Sequence, residues 1–263
     1  MSDVHRRVVQ RWNGQEYTLE NDHLADESVV HLLLNGTHVT TLLATGADLE
    51  DLCTGHLVTE HNLHAEDVRL WPKVSETDGV FSVNMEANVL HQPTPRATIV
   101  TTSCGACNLD GLPDLVALQH RVSEPEHMLE LEQLTSAMHK MRNMQTVFSQ
   151  TGGVHAAGVW YPDGTLIVRE DIGRHNAVDK ILGHHIATSH VEKPLALLLS
   201  GRCGWDIVAK ASRMNISIIA SIGAASHLAA DVARSTNITL VTFLQEGAAT
   251  IIGPVEGRFR GKD

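Results

Sequence analysis

The chain has 263 residues, 43% of them hydrophobic, so it can bury a sizeable core in one large domain or in one large and one small domain. Its 20 basic and 31 acidic residues give a net charge of −11, which argues against a broad nucleic-acid or anionic-membrane surface, so an anionic ligand would need a focused site. The start of the chain lacks an apolar signal core, and no apolar run could span a bilayer, so we expect a cytoplasmic protein. Four cysteines are too few for a secreted disulfide scaffold of this size.

The first part of the chain is predicted to be rich in β-strands. Two β-favouring runs within residues 29–43 flank Asn35-Gly36, which is a strong hairpin signal. A short helix is predicted over 48–58, where Cys53 is interpreted as a small packed side chain rather than a reactive thiol. A later β run, 96–102, leads directly into a loop that contains two more cysteines.

The second part alternates strand-like and helix-like segments, which predicts an α/β core. In such a sheet, ligands bind beyond the carboxyl ends of the strands. Ser200-Gly201-Arg202 follows a buried run, so Arg202 could bind phosphate oxygens, although an ordinary strand–helix connection is the alternative. The predicted segments are a helix over 131–148, strands over 154–160 and 165–168, a helix over 176–186, a strand over 195–199, a helix with Trp205, Val208 and Ala211 on one side, a strand over 217–221, a helix around Leu228 and Val232, and a strand over 237–243.

Cys104 and Cys107 are two thiols three positions apart, and several chemistries fit them. Zinc-dependent deamination is one, because His64-Ala65-Glu66 precedes the pair in the order of that signature. The proline that this signature places before its first cysteine is missing, and His64 lies in a polar run. Structural zinc would need a second close ligand pair, which the sequence lacks.

Dithiol redox chemistry and sulfur carriage are the other two chemistries for this pair. A redox pair prefers its first cysteine at a helix start, whereas the residues after Cys107 resemble a loop. A persulfide carrier needs a thiolate on an exposed loop with a neighbouring thiol to assist it, and this segment provides both. The residues alone leave these alternatives open.

Several blocks, taken together in their order and spacing, resemble the formate dehydrogenase accessory sulfurtransferase family, FdhD/NarQ. The similarity runs from about residue 25 to about residue 255. The blocks are Asn35-Gly36, Gly55–Glu60, the Thr-Ser-Cys-Gly-Ala-Cys stretch ending at Cys107, Gln145–Ala157, Glu170–Lys180, Leu199–Arg202 and the segment from Phe243 onward.

The resemblance implies a cytoplasmic sulfurtransferase that takes sulfur from a cysteine desulfurase and passes it to the molybdenum cofactor of formate dehydrogenase. Cys104 would carry the persulfide and Cys107 would be its helper thiol. The implied cofactor is molybdenum bis(molybdopterin guanine dinucleotide), with a guanine nucleotide as a mimic and no zinc. The formate dehydrogenase catalytic subunit would be the client, with no nucleic acid and no membrane partner.

The implied fold is a cytidine-deaminase-like three-layer α/β core with a smaller β-rich N-terminal subdomain, assembled as a homodimer. Residues 1–130 would form the β-rich part that carries the cysteine loop. Residues 131–263 would form the α/β core with the cofactor-binding strand ends.

The same resemblance assigns a cofactor pocket. Gly153 and His155 would shape one wall, although a buried, hydrogen-bonded histidine is the alternative. Arg174 would contact an anion, and Asp171 would pair with a guanine edge or orient Arg174; a solvated charged loop is the alternative for this segment. The other predicted cofactor-binding residues are His175, Ser200, Gly201, Arg202, Phe243, Leu244, Gln245, Glu246, Gly247 and Ala248.

The last of these segments departs from the family. Members often carry basic residues and an extra glycine there, whereas this chain has Gln245, Glu246 and Ala248. A carboxylate near a pyrophosphate is unfavourable unless it faces away or binds a base edge or a cation. A cofactor-binding chaperone without thiol chemistry is therefore the first alternative function, and a zinc-dependent deaminase is the second.

Overall fold

The computed structural model describes residues 3–61, 63–88, 99–100, 120–188 and 192–260. Cys104 and Cys107 lie outside this part of the chain, as does most of the β run that was predicted over 96–102.

The described chain begins with a two-stranded antiparallel ribbon of β1 (Val4–Trp12) and β2 (Tyr17–Ala25). The ribbon has no counterpart among the predicted elements. Most of its side chains are exposed on both faces, so the sequence lacks the alternation of apolar and polar residues that marks a half-buried strand. Trp12 and Tyr17 pack against each other at its turn, with ring centroids 4.7 Å apart and ring planes tilted by 39°.

The five strands that follow form one mixed sheet in the order β5-β6-β3-β4-β7. Strand β3 pairs antiparallel with β4 and parallel with β6. The strands are β3 (Ser28–Leu34), β4 (Thr37–Ala44), β5 (Val68–Thr77), β6 (Val80–Ala87) and β7 (Ile99–Val100).

The predicted hairpin is confirmed. Asn35 and Gly36 connect β3 to β4 with φ values of 50° and 80°, and a two-residue type I′ turn requires positive φ at both positions. Helix α1 (Leu49–His61) packs on this sheet. Cys53 on α1 is fully buried, which confirms that it is a packing residue, and burial raises the pKa of its thiol.

The second sheet has six strands in the order β13-β12-β11-β10-β8-β9. Strands β10, β11 and β12 are parallel, while β8, β9 and β13 pair antiparallel with their neighbours. The strands are β8 (His155–Trp160), β9 (Leu166–Asp171), β10 (Ala196–Leu199), β11 (Ile218–Ser221), β12 (Thr239–Gln245) and β13 (Ala248–Ile252).

Helices cover both faces of the second sheet. One face packs on α2 through Leu134, Met138 and Met141, and three further helices pack on the other face. This arrangement is a three-layer α/β core, as predicted, while its kinship with the cytidine deaminase core stays a prediction. The helices are α2 (Leu131–Met144), α3 (Thr146–Thr151), α4 (Arg174–Thr188), α5 (Trp205–Arg213) and α6 (His227–Ser235).

The prediction of one helix over 131–148 is wrong, because α2 and α3 are separate helices. Gln145 breaks the helix with φ −77° and ψ 82°. The carboxylate of Glu170 accepts hydrogen bonds from the backbone N–H groups of Val147 (2.9 Å) and Phe148 (2.8 Å). Free N–H groups occur at helix starts, so this distant carboxylate stabilises a new start that no local signal marks.

Helices α1 and α4 join the two sheets by direct backbone contact. A Cβ atom added at Gly55 would overlap the carbonyl of Asp179, and one added at Gly183 would overlap the carbonyl of Asp51. The described strands of the first sheet precede residue 130 and those of the second follow it, but the domain boundary itself stays a prediction. Among the described residues, no helix is both long enough and apolar enough to cross a membrane.

Candidate functional site

One edge of the second sheet collects most of the predicted pocket residues. Strands β9 and β10 are each antiparallel to β8, so they run in the same direction, and β11 and β12 are parallel to β10. The carboxyl ends of these four strands therefore meet at one edge, beside the start of β8. Ligands of α/β sheets bind at such an edge.

A cavity of about 640 Å³ opens at this edge. Its size lies within the range of small-molecule binding sites, which is roughly 300–1,000 Å³. The predicted site residues in its lining are Gly153, His155, Ser200, Leu244, Gln245 and Glu246. The structure therefore brings together the start of β8, the loop after β10 and the end of β12.

Helices α2 and α3 supply a cavity wall that the sequence did not predict. Met138, Met141, Arg142, Gln145 and Phe148 line it. Met138 and Met141 are also buried in the core. Apolar residues at helical spacing are expected both for core packing and for a pocket wall, so the sequence pattern could not distinguish the two. The one sequence feature that could have indicated this wall is the family-like block 145–157, because it begins at Gln145, where α2 ends.

The hairpin between β12 and β13 places only part of its predicted segment at the cavity. Phe243 has φ +50° and is 54% exposed, and it does not line the cavity. Gln245 pairs with Ala248 across a turn that contains Gly247 at φ +72°. Leu244, Gln245 and Glu246 line the cavity, whereas Phe243, Gly247 and Ala248 do not.

Positively charged groups gather next to the cavity around His155. Burial lowers the pKa of His155, and the charges of Arg174, His175 and Arg202 lower it further. Within the described ranges, Arg174 and Arg202 make no ion pair, and a guanidinium group is a side chain that commonly binds anions. Gly201 keeps the loop close, because a Cβ there would lie 3.1 Å from His155 Nδ1.

His175 is paired with Asp206 rather than directed to a ligand. Its Nε2 atom contacts the Asp206 carboxylate, and both side chains are buried. Burial alone would raise the pKa of Asp206, but the hydrogen bond and charge of His175 outweigh it and lower that pKa. The pair joins the start of α4 to the start of α5, close to Arg174 and Arg202.

We expect Arg174→Gln to raise the pKa of His155 toward its ordinary value, because the charge with the largest effect on that pKa is removed while burial is unchanged. An NMR titration of the imidazole resonances measures this pKa. Arg234→Gln is the control, since Arg234 lies on the exposed side of α6 beside Asp231. Arg174, His175 and Arg202 are called the cationic cluster below. An unchanged His155 pKa in Arg174→Gln would show that this cluster does not act on His155.

Asp171 lies beneath the site and is fully buried. Its Oδ2 accepts from the backbone N–H of Thr45 (3.1 Å) and lies 2.8 Å from Lys180 Nζ. Its Oδ1 accepts from Gly173 N (2.8 Å) and Asn176 Nδ2 (3.0 Å). Both oxygens are occupied, so this geometry gives no support to guanine pairing. It agrees with the other predicted role, in which Asp171 holds the turn that carries Arg174.

The fold and the site together define an α/β protein with a partly apolar cavity and a cluster of positively charged groups at the carboxyl ends of its strands. The FdhD/NarQ family model matches residues 25–256. The chain therefore belongs to the FdhD/NarQ family.

Relatives in this family align over most of both chains. A sulfur carrier protein FdhD from Nocardia farcinica is 37% identical, covering 91% of this chain and 89% of the relative. One from Picrophilus torridus is 34% identical, covering 81% and 82%. A crystal structure of a candidate formate dehydrogenase accessory protein from Desulfotalea psychrophila superposes with a TM-score of 0.77 at 22% identity, covering 98% of this chain and 100% of that one. This structure is similar in fold.

Proposed function

We propose that this protein is a sulfur carrier that activates formate dehydrogenase. In this proposal the Cys104 thiolate attacks the terminal sulfur of a persulfide on a cysteine desulfurase. A new S–S bond forms on Cys104, and the desulfurase cysteine leaves as a thiolate. The terminal sulfur is then delivered to the molybdenum cofactor, with Cys107 as the helper thiol. The observation that carries the proposal is the family match over 25–256, which contains both cysteines.

The cavity fits a guanine nucleotide portion of the proposed cofactor. Met138, Met141 and Leu244 supply apolar walls for a planar base, and Gln145 contributes a buried amide nitrogen that has no partner among the described residues. Arg174 and Arg202 would hold phosphate oxygens beside it. When bound, the molybdenum centre supplies the acceptor for the sulfur atom.

Glu246 can be reconciled with this ligand. Glu246 lines the cavity from the β12–β13 hairpin, whereas the two arginines follow β9 and β10. A carboxylate there can accept hydrogen bonds from the N–H groups of a guanine edge without lying at the phosphates. This assignment makes Glu246 a base-binding residue rather than an obstacle to cofactor binding.

The remaining parts of the proposal are partners and assembly. We propose a cytoplasmic homodimer with a cysteine desulfurase as donor and a formate dehydrogenase catalytic subunit as client. Light scattering tests the assembly, and a dimer gives twice the chain mass. A monomer would contradict this part and leave the carrier chemistry standing.

Mass spectrometry tests the sulfur carrier proposal directly. After incubation with a cysteine desulfurase and cysteine, we expect a gain of roughly 32 Da, one sulfur atom, on the peptide that contains Cys104. The gain should disappear in Cys104→Ala. Cys203→Ala is the matched control, because Cys203 is buried and burial raises the pKa of its thiol, so this variant should load like the parent.

Sulfur loading, together with assays of nucleotide binding, formate dehydrogenase activation and zinc content, separates the alternatives. No added sulfur in the presence of an active desulfurase, with nucleotide binding and formate dehydrogenase activation intact in a Cys104→Ala, Cys107→Ala variant, would favour a cofactor-binding chaperone. Stoichiometric zinc in the purified protein would favour a deaminase.

A further inference from the structure

The ribbon of β1 and β2 has two faces of different chemistry. Residues that lie opposite each other in an antiparallel pair point to the same side, so the register divides the side chains into two sets. On one side, called the charged face, Arg11 pairs with Glu20 at 3.0 Å and with Asp22 at 2.9 Å. Both strands are described throughout, and no Asp or Glu residue lies on the other side, called the apolar face. The apolar face carries Val8, Trp12, Tyr17 and Leu19, together with Arg6.

The apolar face is exposed to solvent along its length. Val8, Trp12, Tyr17 and Leu19 are between 53% and 73% exposed. A two-stranded ribbon is marginally stable by itself in water, and contiguous exposed apolar side chains mark interaction sites. Protein interfaces are enriched in Trp, Tyr and Arg and depleted in Lys, Asp and Glu, which matches the composition of this face.

The ribbon lies outside the part of the chain that the family shares. The family model begins at residue 25, which is the last residue of β2. The chemistry that is common to the family therefore does not account for the apolar face, and the face needs a separate explanation.

The base of the ribbon lies beside the cavity. Strand β2 contacts α3, which supplies part of the cavity wall. Ala25 belongs to the apolar face, and a Cβ atom added at Gly153 would lie 3.4 Å from its Cβ atom. Because Gly153 lines the cavity, the apolar face begins next to the cavity lining and extends from there to Trp12 and Tyr17. A protein that lies along this face therefore reaches the cavity.

We infer that the apolar face of the ribbon is a docking surface for a partner protein whose own surface is apolar and acidic. Charge complementarity indicates the acidic character, because Arg6 makes no ion pair among the described residues and no carboxylate shares its face. The inference rests on the proposed function, in which the partner is the formate dehydrogenase catalytic subunit. The protein that receives the cofactor must reach the cavity that is proposed to hold it.

The size of the face also favours this partner over a second copy of the chain. With nine residues in each strand, the face measures about 30 by 10 Å, or roughly 300 Å². Each partner in a stable complex buries about 800 Å². Two ribbons packed face to face would therefore bury too little surface for a stable homodimer. A larger partner that lies on the ribbon can also contact the surface around the cavity.

Biolayer interferometry with the purified formate dehydrogenase catalytic subunit as the probe tests this inference. Leu19→Ser on the apolar face should weaken binding about tenfold. Leu24→Ser is the same change on the charged face and should bind like the parent. Arg6→Glu should also weaken binding about tenfold, whereas Arg7→Glu changes the net charge equally on the charged face and should not. All four side chains are exposed, so each variant should fold and load sulfur like the parent.

Several results would overturn the inference and leave the proposed function intact. One is equal binding by Leu19→Ser and Leu24→Ser, or by Arg6→Glu and Arg7→Glu. Another is a loss in Leu19→Ser that is confined to binding of the cysteine desulfurase, or a change from dimer to monomer, because the donor or a second copy would then cover the face. A parent that does not bind the subunit would also overturn it, and sulfur loading of Cys104 then decides separately whether the carrier function stands.

Discussion

Lys210→Met is expected to lower the free energy of unfolding by about 3–5 kcal/mol, because it leaves buried carboxylates without their cation. Lys210 Nζ lies 2.7 Å from Asp179 Oδ1 and 2.6 Å from Glu60 Oε1, and all three side chains are buried. His56 Nδ1 lies 3.1 Å from the other oxygen of Asp179. These four residues come from α1, α4 and α5, so the network holds these helices together. Helix α4 begins at Arg174 and α5 begins just after Arg202, so the network also supports the positively charged groups beside the cavity.

The same substitution should reverse the dependence of stability on pH. Burial alone would raise the pKa of Asp179 and Glu60, but Lys210 outweighs it and holds both pKa values below the ordinary 3.8 and 4.5. Such groups stabilise the parent above those ordinary values, and the contribution is lost as the pH falls through the folded pKa. Without Lys210, burial still raises both pKa values and the contributions of His56 alone oppose it, so we expect both pKa values to rise and the variant to become less stable as the pH rises.

Urea denaturation at about pH 5 and about pH 7.5 measures both effects. The parent should be no less stable at the higher pH, whereas Lys210→Met should be more stable at the lower pH. Lys193→Met is the matched control, because Lys193 forms an exposed pair with Glu126 and should change stability by no more than about 1 kcal/mol. An equal decrease in the free energy of unfolding in both lysine variants would contradict the stabilising role of the buried network around Lys210.

Local signals were sufficient to predict much of the fold. Asn35-Gly36 specified its hairpin because the turn needs two positive φ values that few residues adopt. The strand-end location of Ser200-Gly201-Arg202 followed from the buried run that precedes it, since parallel strands present their carboxyl ends at one edge. In both cases the decisive residues are neighbours in the sequence.

The features that the sequence did not reveal depend on contacts between distant segments. The charged residues of Gly55–Glu60 form part of the family-like blocks, yet nothing nearby shows that Glu60 is neutralised by Lys210, 150 positions away along the chain. The break at Gln145 depends on the carboxylate of Glu170 in the same way. A charged residue is expected to be exposed when only its residue type is known. It can be buried only when a partner from a distant segment pairs with it, and the local sequence does not show that partner.

Gly183→Ala is expected to destabilise the protein by about 3 kcal/mol, because the added methyl group overpacks a helix contact. At an ordinary helical site the same change stabilises by up to about 1 kcal/mol. Here the new Cβ would overlap the Asp51 carbonyl and would lie 2.7 Å from Gly55 N, so only a movement of whole helices could relieve the clash. Ala187→Gly on the same helix is the reference, and it should show only the ordinary helix-propensity cost.

The consequence for the site follows from where α4 begins. Arg174 is its first residue and His175 is tied to Asp206 at the start of α5, so a shift of α4 away from α1 moves the cationic cluster relative to the cavity. The folded fraction of Gly183→Ala should therefore bind GDP more weakly than the parent, while Ala187→Gly should bind it normally. A Gly183→Ala protein as stable as the parent would mean that α1 and α4 are not in backbone contact, and the placement of Arg174 would then need another cause.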